Sequence, residues 1–141
     1  MSPPKAEMGI KMKKAFSDLE FIDYKRAMML YDDDDEMFEV ILESFVTHTP
    51  VVLEKMEALF TEITVEIQAA SNNHESKDEL YQEFGILAHG IKGSCSSIAA
   101  EGLREQAAGL EKAAKDCDLA NCQKRYPQLV AGIKAMLAEL E

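Results

Sequence analysis

Apolar residues recur every three or four positions along most of this chain, and no stretch longer than a few residues alternates with period two. That spacing marks one face of an α-helix and excludes half-buried strands. Glycine and proline interrupt helices, and here they number only seven and four in 141 residues. The expected fold is all-α: an antiparallel four-helix bundle with one or two short additional N-terminal helices. Residues 1–14 are expected to form a flexible arm and residues 15–141 a single domain, long enough to bury a core without disulfides or metals.

Start and stop signals divide the chain. Ser17-Asp18-Leu19-Glu20 has the form of a capping box, and Asp23 is a second cap candidate ahead of Tyr24–Tyr31, with Ala27 and Leu30 or Tyr31 inward. The acidic run Asp32–Asp35 suits a helix start near Asp34 or Asp35, because Asp caps the free N–H groups and complements the dipole. As a metal site it is poor, since four consecutive residues point in different directions. Met37, Phe38, Ile41, Leu42 and Phe45 then follow at helical spacing, and Val51, Val52, Met56, Leu59, Phe60 and Ile63 resume it beyond Pro50. A kink or brief break is expected at that proline. Ser71–Ser76 reads as a loop, and a helix from Asp78 carries Phe84, Leu87, Ala88, Ile91, Cys95 and Ile98 inward. Another helix runs from Ala100 to Lys115 with Leu103, Ala107, Leu110 and Ala114 inward. After a turn at 116–121, the last helix carries Tyr126, Leu129, Ile133 and Met136. Pro127 requires that it begin or bend nearby.

Composition narrows the function. A net charge of −11 argues against nucleic acid as a partner, because phosphate binding needs a basic surface. No run of about 18 apolar residues offers a membrane span, and the N-terminal residues lack a signal-peptide core. The three cysteines, Cys95, Cys117 and Cys122, form no C-x-x-C and read as reduced thiols of a cytoplasmic protein. No histidine or cysteine pair has metal-ligand spacing, so no metal site is expected.

The chemistry concentrates in His89-Gly90-Ile91-Lys92-Gly93-Ser94. On a helix, Gly85, Lys92 and Gly93 are neighbours of His89 at i−4, i+3 and i+4. His89 falls just outside the apolar stripe, so its ring is expected to be exposed or half-exposed. Imidazole has an ordinary pKa of about 6.5 and is a good nucleophile at neutral pH. From Gly85 to Ala100 the only formal charge is Lys92, which can stabilise an anion held on His89. Three helical glycines cost about 1 kcal/mol each against alanine. Either access to the ring or close helix packing accounts for them. Ser94, Ser96 and Ser97 do not form a catalytic triad with His89, because no Asp or Glu in that window can orient the ring. Ser94 supports the site by packing or hydrogen bonding. His48 and His74 have no such neighbours and read as surface residues.

His89-x-x-Lys92-Gly93-Ser94, followed by Ile98, Ala100 and Leu103, resembles the histidine phosphotransfer (HPt) domain. Upstream, Phe21-Ile22-Asp23 and Asp34–Phe38 extend the likeness, with Phe45 and Pro50. Downstream it includes Leu110-Glu111 and the last helix, so it covers roughly residues 20–140. Ile91 stands where leucine is usual and Ala99 where glycine is usual. The segment between Pro50 and His89 is longer than typical, which should extend one hairpin of the bundle around Ile63–Ser76.

The resemblance implies a phosphoryl carrier of a two-component phosphorelay. His89 would accept a phosphoryl group from a receiver-domain aspartyl phosphate, at Nε2, and pass it to a second receiver, with Lys92 as counter-charge. Gly85, Gly90, Gly93 and Ser94 would support the site. Partners would be response-regulator receivers and a hybrid sensor kinase, with the chain a cytoplasmic monomer. It would need no cofactor of its own, the Mg²⁺ belonging to the receiver. No phosphate-binding glycine loop of an ATP site occurs, so it would not be an enzyme acting on ATP. The alternative is a helical adaptor that docks on a receiver or kinase without carrying phosphate.

Overall fold

The computed structural model describes residues 18–68 and 74–140, with side chains omitted at 66–68 and 74–77. Five helices follow one another: α1 Tyr24–Leu30, α2 Asp35–Gln68, α3 His74–Ser97, α4 Glu101–Lys115 and α5 Leu119–Glu139. No strand occurs among the described residues. The arm expected over residues 1–14 lies outside them, as does Ser17 of the expected capping box. No α-helix begins at Asp18–Glu20; the Glu20 and Phe21 amides donate to the Glu139 carboxylate instead. The second cap candidate does cap: Asp23 accepts from the Arg26 amide and opens α1.

The acidic run works as a helix start. Asp34 accepts from the Met37 amide, and α2 begins at Asp35. Pro50 does not break α2, and α5 begins eight residues before Pro127. Both prolines sit at exposed positions, so the carbonyls that lose a donor lie toward water rather than in the core. Helix α3 begins at His74, four residues earlier than Asp78, which takes in part of the expected 71–76 loop; 71–73 are outside the described residues.

Helix α3 packs against α2 and α4, and α4 against α5. Helix α5 closes on α2 through Tyr126, which stacks near Phe60 and donates to Glu57 at 2.7 Å. The ring of four encloses Phe38, Leu42, Met56, Phe84, Ile91, Leu110, Leu129 and Ile133, all 0–1% exposed. Met37 and Val51, which belong to the apolar repeat, are exposed, because the buried stripe of α2 is narrower than its apolar content. Helix α4 has 15 residues against 34 in α2 and 24 in α3, so the α2–α3 hairpin overhangs it.

Candidate functional site

The C-terminal end of α3 fixes the site. Ala100 N–H donates to Cys95 O and Ala99 N–H to Ser96 O, the two bonds of a Schellman stop. Such a stop needs a left-handed residue, and Ala99 adopts φ 58°. That is why glycine would suit this position. The turn delivers α4 antiparallel to α3, so residues near 111 lie beside residues near 89.

This arrangement brings an acidic residue to His89. Glu111, 22 residues away in sequence, accepts from His89 Nδ1 at 2.9 Å. Its other oxygen accepts from Lys92 Nζ at 2.7 Å. Lys115 Nζ lies 3.4 Å from the oxygen that faces His89. The Glu111 side chain is 9% exposed while that of His89 is 65% exposed. A buried carboxylate would ordinarily favour its protonated form. Here the Lys92 hydrogen bond outweighs desolvation, with His89 and Lys115 adding to it, and holds the Glu111 pKa at about 2.

The chemistry follows from that charge. An ionised carboxylate only accepts hydrogen bonds, so Nδ1 of His89 must carry a proton. In neutral imidazole the lone pair then sits on Nε2, on a ring that is mostly open to solvent. No Asp or Glu between Gly85 and Ala100 orients the ring, as expected; the carboxylate that does so is Glu111 and comes from α4. Glu111 did carry a signal in sequence, since it occupies an inward position of the stripe Ala107, Leu110, Ala114. A charge on a buried stripe calls for a partner. Lys92 is not a lone cation either, being paired with Glu111. Lys115, one turn after Glu111 on α4, joins the same cluster.

The glycines divide between the two expected roles. A Cβ at Gly85 would meet the Ala114 Cβ at 3.3 Å, so Gly85 lets α3 and α4 approach. A Cβ at Gly90 or Gly93 would meet nothing within 4 Å, which leaves open space around the ring. Ser94 is half-buried, and its carbonyl accepts from Ser97 Oγ at 2.7 Å. A groove of about 680 Å³ runs between α3 and α4 from Tyr81 past Ile86 and His89 to Lys115. Ile86, one turn before His89, is 62% exposed. His48 is exposed and bonds within its own helix to Ser44; the side chain of His74 lies outside the described residues. Cys95 and Cys122 are buried thiols, which burial raises to about 12 and about 11. Among the described residues no cluster of His, Cys, Asp or Glu could hold a metal, and no helix is long and apolar enough to cross a membrane.

Comparison with curated proteins and with solved structures gives no match. The sequence model of one family, described as the Hpt domain, matches residues 40–141.

Proposed function

The chain belongs to the Hpt domain family, whose members carry phosphoryl groups in phosphorelays, and on that premise we propose that His89 is its phosphoryl acceptor. The Glu111–His89 hydrogen bond carries the reading, because it leaves Nε2 as the nucleophile. A receiver's aspartyl phosphate meets Nε2; the N–P bond forms as the P–O bond to the aspartyl carboxyl breaks, and the aspartate leaves as carboxylate. The ring retains its Nδ1 proton and gains positive charge, which Glu111 stabilises at 2.9 Å. Transfer to a second receiver reverses these steps.

Lys92 and Lys115 serve as counter-charges. Together they offset Glu111 by one positive charge, in a chain whose net charge is −11. A phosphoryl group adds close to two negative charges, so this excess favours the loaded state. The open space at Gly90 and Gly93 admits the receiver's pocket, and Ile86 offers it an apolar contact beside the ring. The receiver brings the Mg²⁺ and most of the catalytic groups, and the chain works as a cytoplasmic carrier without an ATP site.

The test is incubation with a phosphorylated receiver. The wild-type chain gains acid-labile, base-stable label and His89→Gln gains none. Label that survives His89→Gln, or receiver binding with no label in the wild type, would overturn the assignment; the second result is that of an adaptor.

A further inference from the structure

The groove beside His89 has a second polar end. Along α3 it runs from Asp78 and Tyr81, past Gly85 and Ile86, to His89. Cys117, in the turn after α4, lines the far end. Asp78 and His89 are separated by about 16 Å along the helix axis, at ~1.5 Å per residue. Between the two ends the floor is low, because a Cβ on Gly85 would already touch that of Ala114 at 3.3 Å. The end at His89 carries one surplus positive charge, Lys92 and Lys115 against Glu111. The far end has the opposite character.

Tyr81 is only 2% exposed and lines the groove, yet its hydroxyl has no hydrogen-bond partner among the described residues. Tyr126, also buried, satisfies its hydroxyl on Glu57. Folded proteins rarely leave a buried polar group unpaired, and such a group calls for an explanation. Burial, with Cys122, Cys117 and Asp118 adding to it, pushes the Tyr81 pKa up to about 12, so the hydroxyl stays protonated. One turn earlier on α3, the Asp78 carboxylate accepts only from the Cys117 thiol among the described residues, at 3.6 Å. A thiol is a weak donor, so most of the acceptor capacity of Asp78 is left over. A phenol oxygen and a carboxylate both accept hydrogen bonds, and an ammonium or guanidinium can donate to both at once. The two ends of the groove thus suit an anion at His89 and a cation at Asp78.

A partner that meets His89 also covers the far end. A standard interface takes about 800 Å² from each partner, a disc that reaches roughly 16 Å from its centre. We propose that the Asp78–Tyr81 end of the groove receives one lysine or arginine side chain of the receiver, and so selects among receivers docked at His89. This rests on the reading of His89 as the atom that a receiver meets. A matching receiver places its phosphoryl group at one end and its cation at the other. A receiver without that cation strips water from Asp78 and Tyr81 and gives no donor in return, which is how it is rejected.

Calorimetric titration of the full chain with a receiver domain tests this, and phosphoryl label is read separately. Tyr81→Phe removes only the hydroxyl and should weaken receiver binding about threefold without lowering the melting temperature. Asp78→Lys should weaken binding at least tenfold. Glu79→Lys makes the same charge change at an exposed residue that does not line the groove, and should weaken binding less than about twofold. Alanine replacement of the receiver's lysines and arginines should find one whose loss costs nothing further in the Asp78→Lys chain. Unchanged affinity in both groove variants, an equal loss in Glu79→Lys, or no receiver residue coupled to Asp78 would each overturn the proposal. A chain that binds with the expected pattern but takes no label would keep this end of the interface and remove His89 as acceptor.

Discussion

At His89 one carboxylate oxygen decides which ring nitrogen is available. Glu111 fixes the Nδ1 proton, and its effect can be sized. A hydrogen bond to a charged group is worth about 1.5–3 kcal/mol, and each 1.36 kcal/mol is tenfold in rate. Glu111→Ala should therefore slow phosphoryl transfer roughly ten- to hundredfold while the helical circular dichroism stays intact; a wild-type rate would remove Glu111 from the mechanism. Lys115 is 71% exposed, and exposed pairs contribute little to stability. Lys115→Ala should leave the melting temperature unchanged and slow transfer about threefold, an effect that high salt reduces. A large loss of stability would mean that Lys115 braces the fold instead.

At the scale of elements, the stripes of α3 and α4 were legible because buried apolar positions repeat with the helix. The neighbour of His89 was not, since a contact spanning 22 residues depends on how the α3–α4 turn aims the second helix. Ala99 marked that turn only as an unusual residue; its positive φ is visible in three dimensions alone. A break at Pro50 does not occur, for a local reason. A proline costs a helix one hydrogen bond, and exposed positions let water replace it. The glycines allow a test that separates access from packing. Gly90→Ala fills open space in a helix interior and should stabilise by about 1 kcal/mol, raising the melting temperature by roughly 2–4 °C. It should also slow transfer, because the new methyl stands in the partner's approach. Gly85→Ala must crowd Ala114 and should gain less. Equal gains at both sites would contradict this division. The stop after α4 gives a further check: Cys117 is exposed with φ 51°, so Cys117→Gly should stabilise by about 1 kcal/mol in chemical denaturation.

For the whole molecule, the site is a small positive cluster in an acidic bundle, and pH reaches it through Glu111. Its folded pKa, about 2, lies below its ordinary 4.5. The stability it contributes is therefore complete above about 4.5 and is lost as pH falls through 2. Melting temperatures of the wild type and Glu111→Gln should differ by a constant amount above pH 5 and converge between pH 4.5 and 2. A gap that closes near pH 6 would show that another group governs it. The bundle is otherwise a scaffold: α4 holds the carboxylate, α3 presents the ring, and α2 and α5 keep both in place. The central claim concerns one atom of that ring. Nitrogen-15 NMR of the imidazole, after transfer from a phosphorylated receiver, identifies the phosphorylated nitrogen directly. The account predicts a single phosphoryl group on Nε2 of His89 with the proton retained on Nδ1. Phosphorylation of Nδ1, or of any residue other than His89, would contradict it.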